Sequence, residues 1–167
     1  EGRRPALRLR SDHRTVGFVD GLLGPVEAIV DDVVLRRNDG VPAYNLAVVV
    51  DDHAQGVSEV IRGDDLALST PRQIRLQELL GLETPRYLHV PLVVDADGER
   101  LAKRRGMSVT LADLARADVD VDAVVVWLTE SLGLGSVGRL SDLLERFDPD
   151  RLDRTPVVAP SFVVDGS

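Results

Sequence analysis

One stretch constrains the fold more than any other, the strand–helix–strand unit between Val57 and Val94. Val57–Ile61 reads as a short buried strand that ends at Arg62-Gly63-Asp64-Asp65. A helix follows, with Thr70 at its N-cap and Pro71 at its first helical position. Ile74, Leu76, Leu79 and Leu80 give that helix an apolar face, and Gly81 ends it. Tyr87–Val94 is the second strand, closed by the turn Asp95-Ala96-Asp97-Gly98. Two strands joined by a helix pair in parallel through a right-handed crossover. The unit therefore predicts an α/β fold built on parallel strands.

The flanking segments extend this picture. Val30–Arg37 reads as a strand entering a turn at Asn38-Asp39-Gly40. Tyr44–Asp52, after Pro42, is either a short helix or a buried strand, because Val48, Val49 and Val50 fit both. Beyond Gly106 the character becomes helical, with a short helix at Thr110–Ala117. Val121, Val124, Val125, Leu128 and Leu132 lie at helical spacing, and Leu140–Phe147 gives a third helix. Pro149, Pro156 and Pro160 mark an irregular tail. The expected organisation is an α/β part over residues 1–106 and a small helical part over residues 107–167.

Composition narrows the class. The chain has 167 residues with 44% hydrophobic content, enough for a packed core. The longest apolar run, Ala123–Leu128, is too short to span a bilayer. No charged leader followed by an apolar stretch opens the chain, and there is no cysteine to form a disulfide or a thiolate zinc site. The reading expects a soluble, cytoplasmic, monomeric protein without membrane contact. A net charge of −8 argues against a general nucleic-acid coat but leaves local RNA contacts open. Arg3, Arg4, Arg8 and Arg10 form one basic patch, and Glu99–Gly106 forms another.

Chemistry is expected beyond the carboxyl ends of parallel strands. That rule selects the loop starting at Arg62 and the loop carrying Lys103, both expected to face one crevice. Arg62 suits a carboxylate, which it can bond bidentately, although it could also pair at the surface with Asp64 or Asp65. Lys103, flanked by Arg100, Arg104 and Arg105, suits a polyphosphate, although such clusters are often plain solvent-exposed charge. Lys103 is the only lysine beside 19 arginines. A compact ammonium kept where every other cation is a guanidinium points to a specific contact. Neither loop is a Walker-type glycine loop. Tyr44 is by default a core aromatic with its hydroxyl at the rim. His13, His53 and His89 lack metal-ligand spacing, and Asp118, Asp120 and Asp122 lack the rest of a calcium loop, so no metal site is expected.

Taken together, the motifs resemble the glutamyl-tRNA synthetase family of class I aminoacyl-tRNA synthetases. The blocks are Asp39-Gly40-Val41-Pro42-Ala43-Tyr44-Asn45-Leu46-Ala47 with Val50-Asp51-Asp52, then Val60-Ile61-Arg62-Gly63-Asp64-Asp65-Leu66 with Ser69-Thr70-Pro71-Arg72-Gln73. Tyr87-Leu88-His89-Val90-Pro91-Leu92 and Gly98-Glu99-Arg100-Leu101-Ala102-Lys103-Arg104 follow, and the match runs from about Val30 to Leu114. The resemblance implies the second half of a Rossmann-like catalytic domain with parallel strands, then a small helical region. It implies ATP-dependent activation of glutamate to glutamyl-adenylate, with Mg2+ accompanying ATP. By resemblance Tyr44 and Arg62 bind glutamate, and Arg100, Leu101, Ala102, Lys103, Arg104 and Asp65 contact ATP. Lys103 is the catalytic residue, stabilising charge as pyrophosphate leaves. Against the family's Lys-Met-Ser-Lys-Ser loop, Arg100 keeps the charge of the first Lys, and Ala102 loses a hydroxyl.

With 63 residues after Arg104, the chain resembles the glutamyl-Q branch of the family. That implies transfer of glutamate to the queuosine base of tRNA(Asp). The alternatives are a part of an ordinary glutamyl-tRNA synthetase charging tRNA(Glu) at its 3′ end, or a non-catalytic tRNA-binding module. The family's His-Ile-Gly-His-type motif, its first nucleotide-binding half and the zinc insert of some members do not occur in these residues. The 167 residues are therefore expected not to form the adenylate by themselves, and any zinc is expected upstream.

Overall fold

The computed structural model describes residues 5–101, 110–116, 118–135 and 140–160. The chain divides into two compact units, Glu1–Val90 and Pro91–Ser167. The boundary read near Met107 falls outside the described residues.

The first unit opens with β1 (Leu7–Leu9), β2 (Thr15–Asp20), β3 (Gly24–Ile29) and β4 (Val33–Arg36). β1 pairs antiparallel with β4, and β2 pairs antiparallel with β3. The hairpin between β2 and β3 is set by Asp20, whose carboxylate accepts the N–H groups of Leu22 (2.9 Å) and Leu23 (3.0 Å), an Asx turn. Gly24 completes it at φ 78°. The strand expected over Val30–Arg37 is shorter, because Asp31 and Asp32 turn outward before Val33: Asp31 bonds Arg72, and Asp32 accepts the Ser11 N–H.

Tyr44–Ala54 forms α1, so the open choice for this segment resolves to helix. Only Val49 of its three consecutive valines is fully buried, and three adjacent residues of a helix cannot all face one core. β5 (Glu59–Gly63) leads through a 3₁₀ turn (Asp64–Ser69) into α2 (Thr70–Leu80), and β6 (Arg86–Val90) returns beside β5. β5 and β6 are parallel, with Ile61 opposite Leu88 and Arg62 opposite His89. Pro71 stands at the helix start and Gly81 ends it in the left-handed region at φ 68°. The N-cap role expected of Thr70 is not taken: the 3₁₀ turn runs directly into α2, and the Thr70 hydroxyl is used elsewhere. Val16, Val30, Val33, Val49, Ile74, Leu76 and Tyr87 form the core of this unit.

The expected strand Tyr87–Val94 is broken. Pro91, which has no N–H to give a ladder, separates β6 from β7 (Val93–Val94). In the second unit β7 pairs in parallel with β8 (Val157–Val158), so part of the tail read as irregular is a strand. α3 (Leu111–Arg116) begins at Thr110, whose hydroxyl and N–H both bond the Asp113 carboxylate. α4 (Val121–Ser131) is capped by Asp120, which accepts the Asp122 N–H at 2.9 Å. The third expected helix is only a 3₁₀ turn, Leu140–Leu143. Leu144 beyond it is 84% exposed, and a short helix without a face to bury has little to hold it. Among the described residues no helix is long and apolar enough to cross a membrane.

Candidate active site

The site in the first unit is built on the last turn of β5 and its neighbour β6. Parallel register places Arg62 beside His89. Tyr87 and His89, two apart on one strand, show their rings to the same face, nearly parallel at 15° with centroids 6.0 Å apart. The Arg62 guanidinium lies over the Tyr87 ring, 5.2 Å from its centroid. Its Nε–H donates to His89 Nε2 (3.0 Å), and Nη2 donates to Thr70 Oγ1 (2.7 Å). Arg62, read as a carboxylate binder or a surface partner of Asp64 or Asp65, is thus turned inward and held by three side chains.

Behind His89 stands Asp20. Its Oδ2 is 2.6 Å from His89 Nδ1, and both of its oxygens accept the His89 backbone N–H at 3.2 Å. Both side chains are fully buried. Burial pushes the Asp20 carboxyl up, but hydrogen bonds from the Leu23 N–H, the His89 ring, and the Leu22 and His89 N–H groups outweigh it and hold the group below the usual carboxylate range. The Gly21 N–H donates to Tyr87 O at 2.8 Å. This ties the hairpin carrying Asp20 to β6. A Cβ at Gly21 would meet Leu88 Cδ1 at 2.8 Å, so any larger residue there requires the end of the Leu88 side chain to move.

Tyr44, the first residue of α1, is 58% exposed and is not a core aromatic. Tyr87 takes that place: it is buried, and its hydroxyl accepts from Gln77 Nε2 at 3.1 Å. Burial raises the Tyr87 hydroxyl, the Gln77 bond and Arg62 oppose the rise, and Asp52 and Tyr44 add to it. Asp65 is exposed on the 3₁₀ turn after β5.

In the second unit the turn before the basic loop is closely specified. Asp95 Oδ1 accepts the N–H groups of Asp97 (3.0 Å) and Glu99 (2.8 Å), and Gly98 takes φ 80°. Arg100 then bridges back to Val94, so the loop departs from a fixed base. Arg100 and Leu101 are half-buried. Ala102, Lys103 and Arg104 lie outside the described residues. The sequence reading missed Asp20, Thr70 and His89 as parts of the site. One signal could have found His89: it is the parallel-register neighbour of Arg62.

A parallel β–α–β unit with an arginine fixed at the end of its first strand defines an α/β fold with a candidate site at the carboxyl end of its strands. The chain belongs to the class I tRNA synthetase family for Glu and Gln, whose catalytic-domain model matches residues 1–144. It is 58% identical over 156 residues to the glutamyl-Q tRNA(Asp) synthetase of Nocardia farcinica, covering 93% of this chain and 50% of that protein. It is 44% identical to the protein of that name from Nitratidesulfovibrio vulgaris, covering 99% of this chain and 53% of the relative. Glutamate–tRNA ligase 1 of Helicobacter hepaticus is 34% identical, over 93% of this chain and 35% of its own length. The fold matches the glutamate–tRNA synthetase of Elizabethkingia anophelis with a TM-score of 0.69 at 21% identity, covering 95% of this chain and 37% of that structure. The chain spans about half the length of the curated relatives it matches.

Proposed function

We propose that this chain supplies glutamate recognition and phosphate contacts to an enzyme that activates glutamate with ATP and transfers it to the queuosine base of tRNA(Asp). The observation that carries the reading is the fixed Arg62 at the carboxyl end of β5, where ligands of such sheets bind. His89 and Thr70 fill one edge of its guanidinium, which leaves the edge formed by Nη1 and Nη2 for a bidentate carboxylate. The attacking α-carboxylate must keep its lone pairs for phosphorus, so Arg62 holds the side-chain carboxylate of glutamate, with Tyr44 beside it. The α-carboxylate adds to the α-phosphorus of ATP, pyrophosphate leaves, and glutamyl-adenylate forms. A hydroxyl of the acceptor then takes the acyl group and AMP departs.

Lys103 is the catalytic residue in this reading, offsetting the negative charge that grows on the departing pyrophosphate. Arg100, Leu101, Ala102 and Arg104 line the ATP phosphates with it, and Asp65 lies near the nucleotide. Mg2+ enters with those phosphates; among the described residues no group of three His, Asp or Glu side chains converges as metal ligands. Catalysis is by positioning and electrostatics, without a covalent intermediate on the protein. The reading includes a monomer acting in the cytoplasm. The division of labour follows residues 1–106 for catalysis and 107–167 for contact with the tRNA stem.

The tRNA assignment is supported by the names of the two relatives at 58% and 44% identity, against 34% for the glutamate–tRNA ligase. The deciding assay gives the full-length enzyme labelled glutamate, ATP and tRNA(Asp) lacking its 3′-terminal adenosine. Label is expected on queuosine-containing tRNA(Asp) and not on tRNA(Asp) carrying guanine at that position. Labelling that requires an intact 3′ end on tRNA(Glu) would establish the ordinary ligase instead.

A further inference from the structure

The strongest unexplained feature is a buried carboxylate and a buried imidazole that touch no reacting group. Asp20 and His89 have fully buried side chains, and Thr70 is equally enclosed. Burying a carboxylate is costly unless its charge is met. Here the charge is met by the Leu22, Leu23 and His89 N–H groups and by the His89 ring, whose far nitrogen accepts from Arg62.

The hydrogen positions follow from the donors. Every nitrogen of a guanidinium donates and none accepts. Arg62 Nε–H points at His89 Nε2 from 3.0 Å, so Nε2 presents its lone pair. The ring hydrogen is then on Nδ1, facing Asp20 Oδ2 at 2.6 Å. Thr70 Oγ1 accepts from Arg62 Nη2, and its own hydrogen reaches Leu66 O at 3.1 Å. Thr70 Oγ1 and His89 Nε2, 3.2 Å apart, form a pair of acceptors matched to one edge of the guanidinium. A neutral imidazole free in water prefers its hydrogen on Nε2. In this site Asp20 selects the other tautomer, the one that can accept from Arg62.

We propose that Asp20, His89 and Thr70 are positioning residues for glutamate recognition: Asp20 fixes the tautomer of His89, and His89 with Thr70 fixes the plane of Arg62. The proposal rests on the reading of Arg62 as the partner of a glutamate carboxylate. None of the three touches substrate; each acts through Arg62. Asp20→Asn keeps the shape but offers an amide N–H to Nδ1. That drives the ring hydrogen to Nε2, where it opposes the Arg62 Nε–H.

The test is ATP–pyrophosphate exchange by the full-length enzyme, with KM measured separately for glutamate and ATP. D20N is expected to raise the glutamate KM by about 10- to 100-fold and move the ATP KM less than about twofold, since misplacement near an ångström costs on that order. Two amides at position 89 separate positioning from plain packing. Gln at 89 places an acceptor near Nε2, toward Arg62; Asn at 89 reaches only toward Asp20. His89→Gln is expected to retain a glutamate KM within about fivefold of the parent, and His89→Asn to behave like D20N. Equal effects of the two amides, or parallel rises in both KM values, would overturn the proposal. Arg62→Lys is the control on the underlying reading. If it leaves the glutamate KM unchanged, the assignment of Arg62 fails and the positioning proposal falls with it. If it raises that KM while D20N and His89→Asn do not, the positioning proposal alone fails. Should the variants not fold, nitrogen NMR of the unmodified enzyme decides, because imidazole nitrogens report their tautomer. A protonated Nδ1 and a bare Nε2 on His89 at neutral pH are expected, and the opposite tautomer or a doubly protonated ring overturns the inference.

Discussion

Asp20 joins two tasks in one side chain. Its Oδ1 shapes the hairpin by accepting from Leu22 and Leu23, and its Oδ2 faces the His89 ring. Its carboxyl lies below the usual range, so the folded state prefers the ionised form more than the unfolded chain does. The stability this contributes is fully present above the unfolded value and is lost as pH falls through the lower folded value. Thermal melts are therefore expected to hold steady from pH 7 to about pH 5 and drop steeply below about pH 4. D20N should melt lower at neutral pH and lose part of that acid sensitivity. An unchanged acid slope in D20N would show that other carboxylates govern it.

At this scale the sequence shows the strand whose carboxyl end carries Arg62, the kind of place where ligands of parallel sheets bind. Asp20 could not be read in this way, because it lies 69 residues from His89 and nothing local marks either as a partner. Sequence spacing says of His89 only that it lacks metal-ligand partners. Its actual use, as an acceptor for a neighbouring Arg, requires the β5–β6 register.

Among the elements, α2 was read most completely, because helix signals are local. Pro71 at its start and Gly81 at its end stand where expected; of the expected apolar face Ile74 and Leu76 are buried, whereas Leu79 and Leu80, in the last turn, are exposed. Gly81 sits at φ 68° with nothing within 4 Å of an added Cβ. Gly81→Ala thus tests backbone conformation without a clash, and a loss of about 1 kcal/mol in denaturant unfolding is expected. No change in the midpoint would mean that the helix end shifts to accommodate alanine. The β2–β3 hairpin was missed for an equally local reason. Gly17 and Pro25 lie inside its strands, and both residue types weaken a strand pattern. What holds it is distant: the Gly21 bond to Tyr87 O and the Asp20 bonds to His89. Similarly, β8 could not be read from a proline-marked tail, because its partner β7 lies more than sixty residues earlier.

For the whole molecule, the β5–β6 ladder carries the last prediction. Parallel sheets are almost always covered on both faces and extended by further strands. Among the described residues β5 and β6 pair only with each other, and Ile61, on the strand that carries Arg62, is 65% exposed. An isoleucine so exposed beside Arg62 is the expected surface for more of a catalytic domain to pack on. The chain spans about half the length of its curated relatives, which agrees with that. We therefore expect the isolated 167-residue chain to show no pyrophosphate exchange above background, with the full-length enzyme active under the same conditions. The inactivity should not reflect misfolding: the first unit has its own core around Val33, Ile74 and Tyr87, so the isolated chain should give a cooperative melt. In the proposed reading, holding the substrate's carboxylate supplies only part of the rate enhancement. The nucleotide must also be oriented against it, and positioning of two reactants is where most of the barrier reduction originates. Glutamate-dependent exchange by the isolated chain would mean that the residues within it orient both substrates unaided, and would overturn this division of labour.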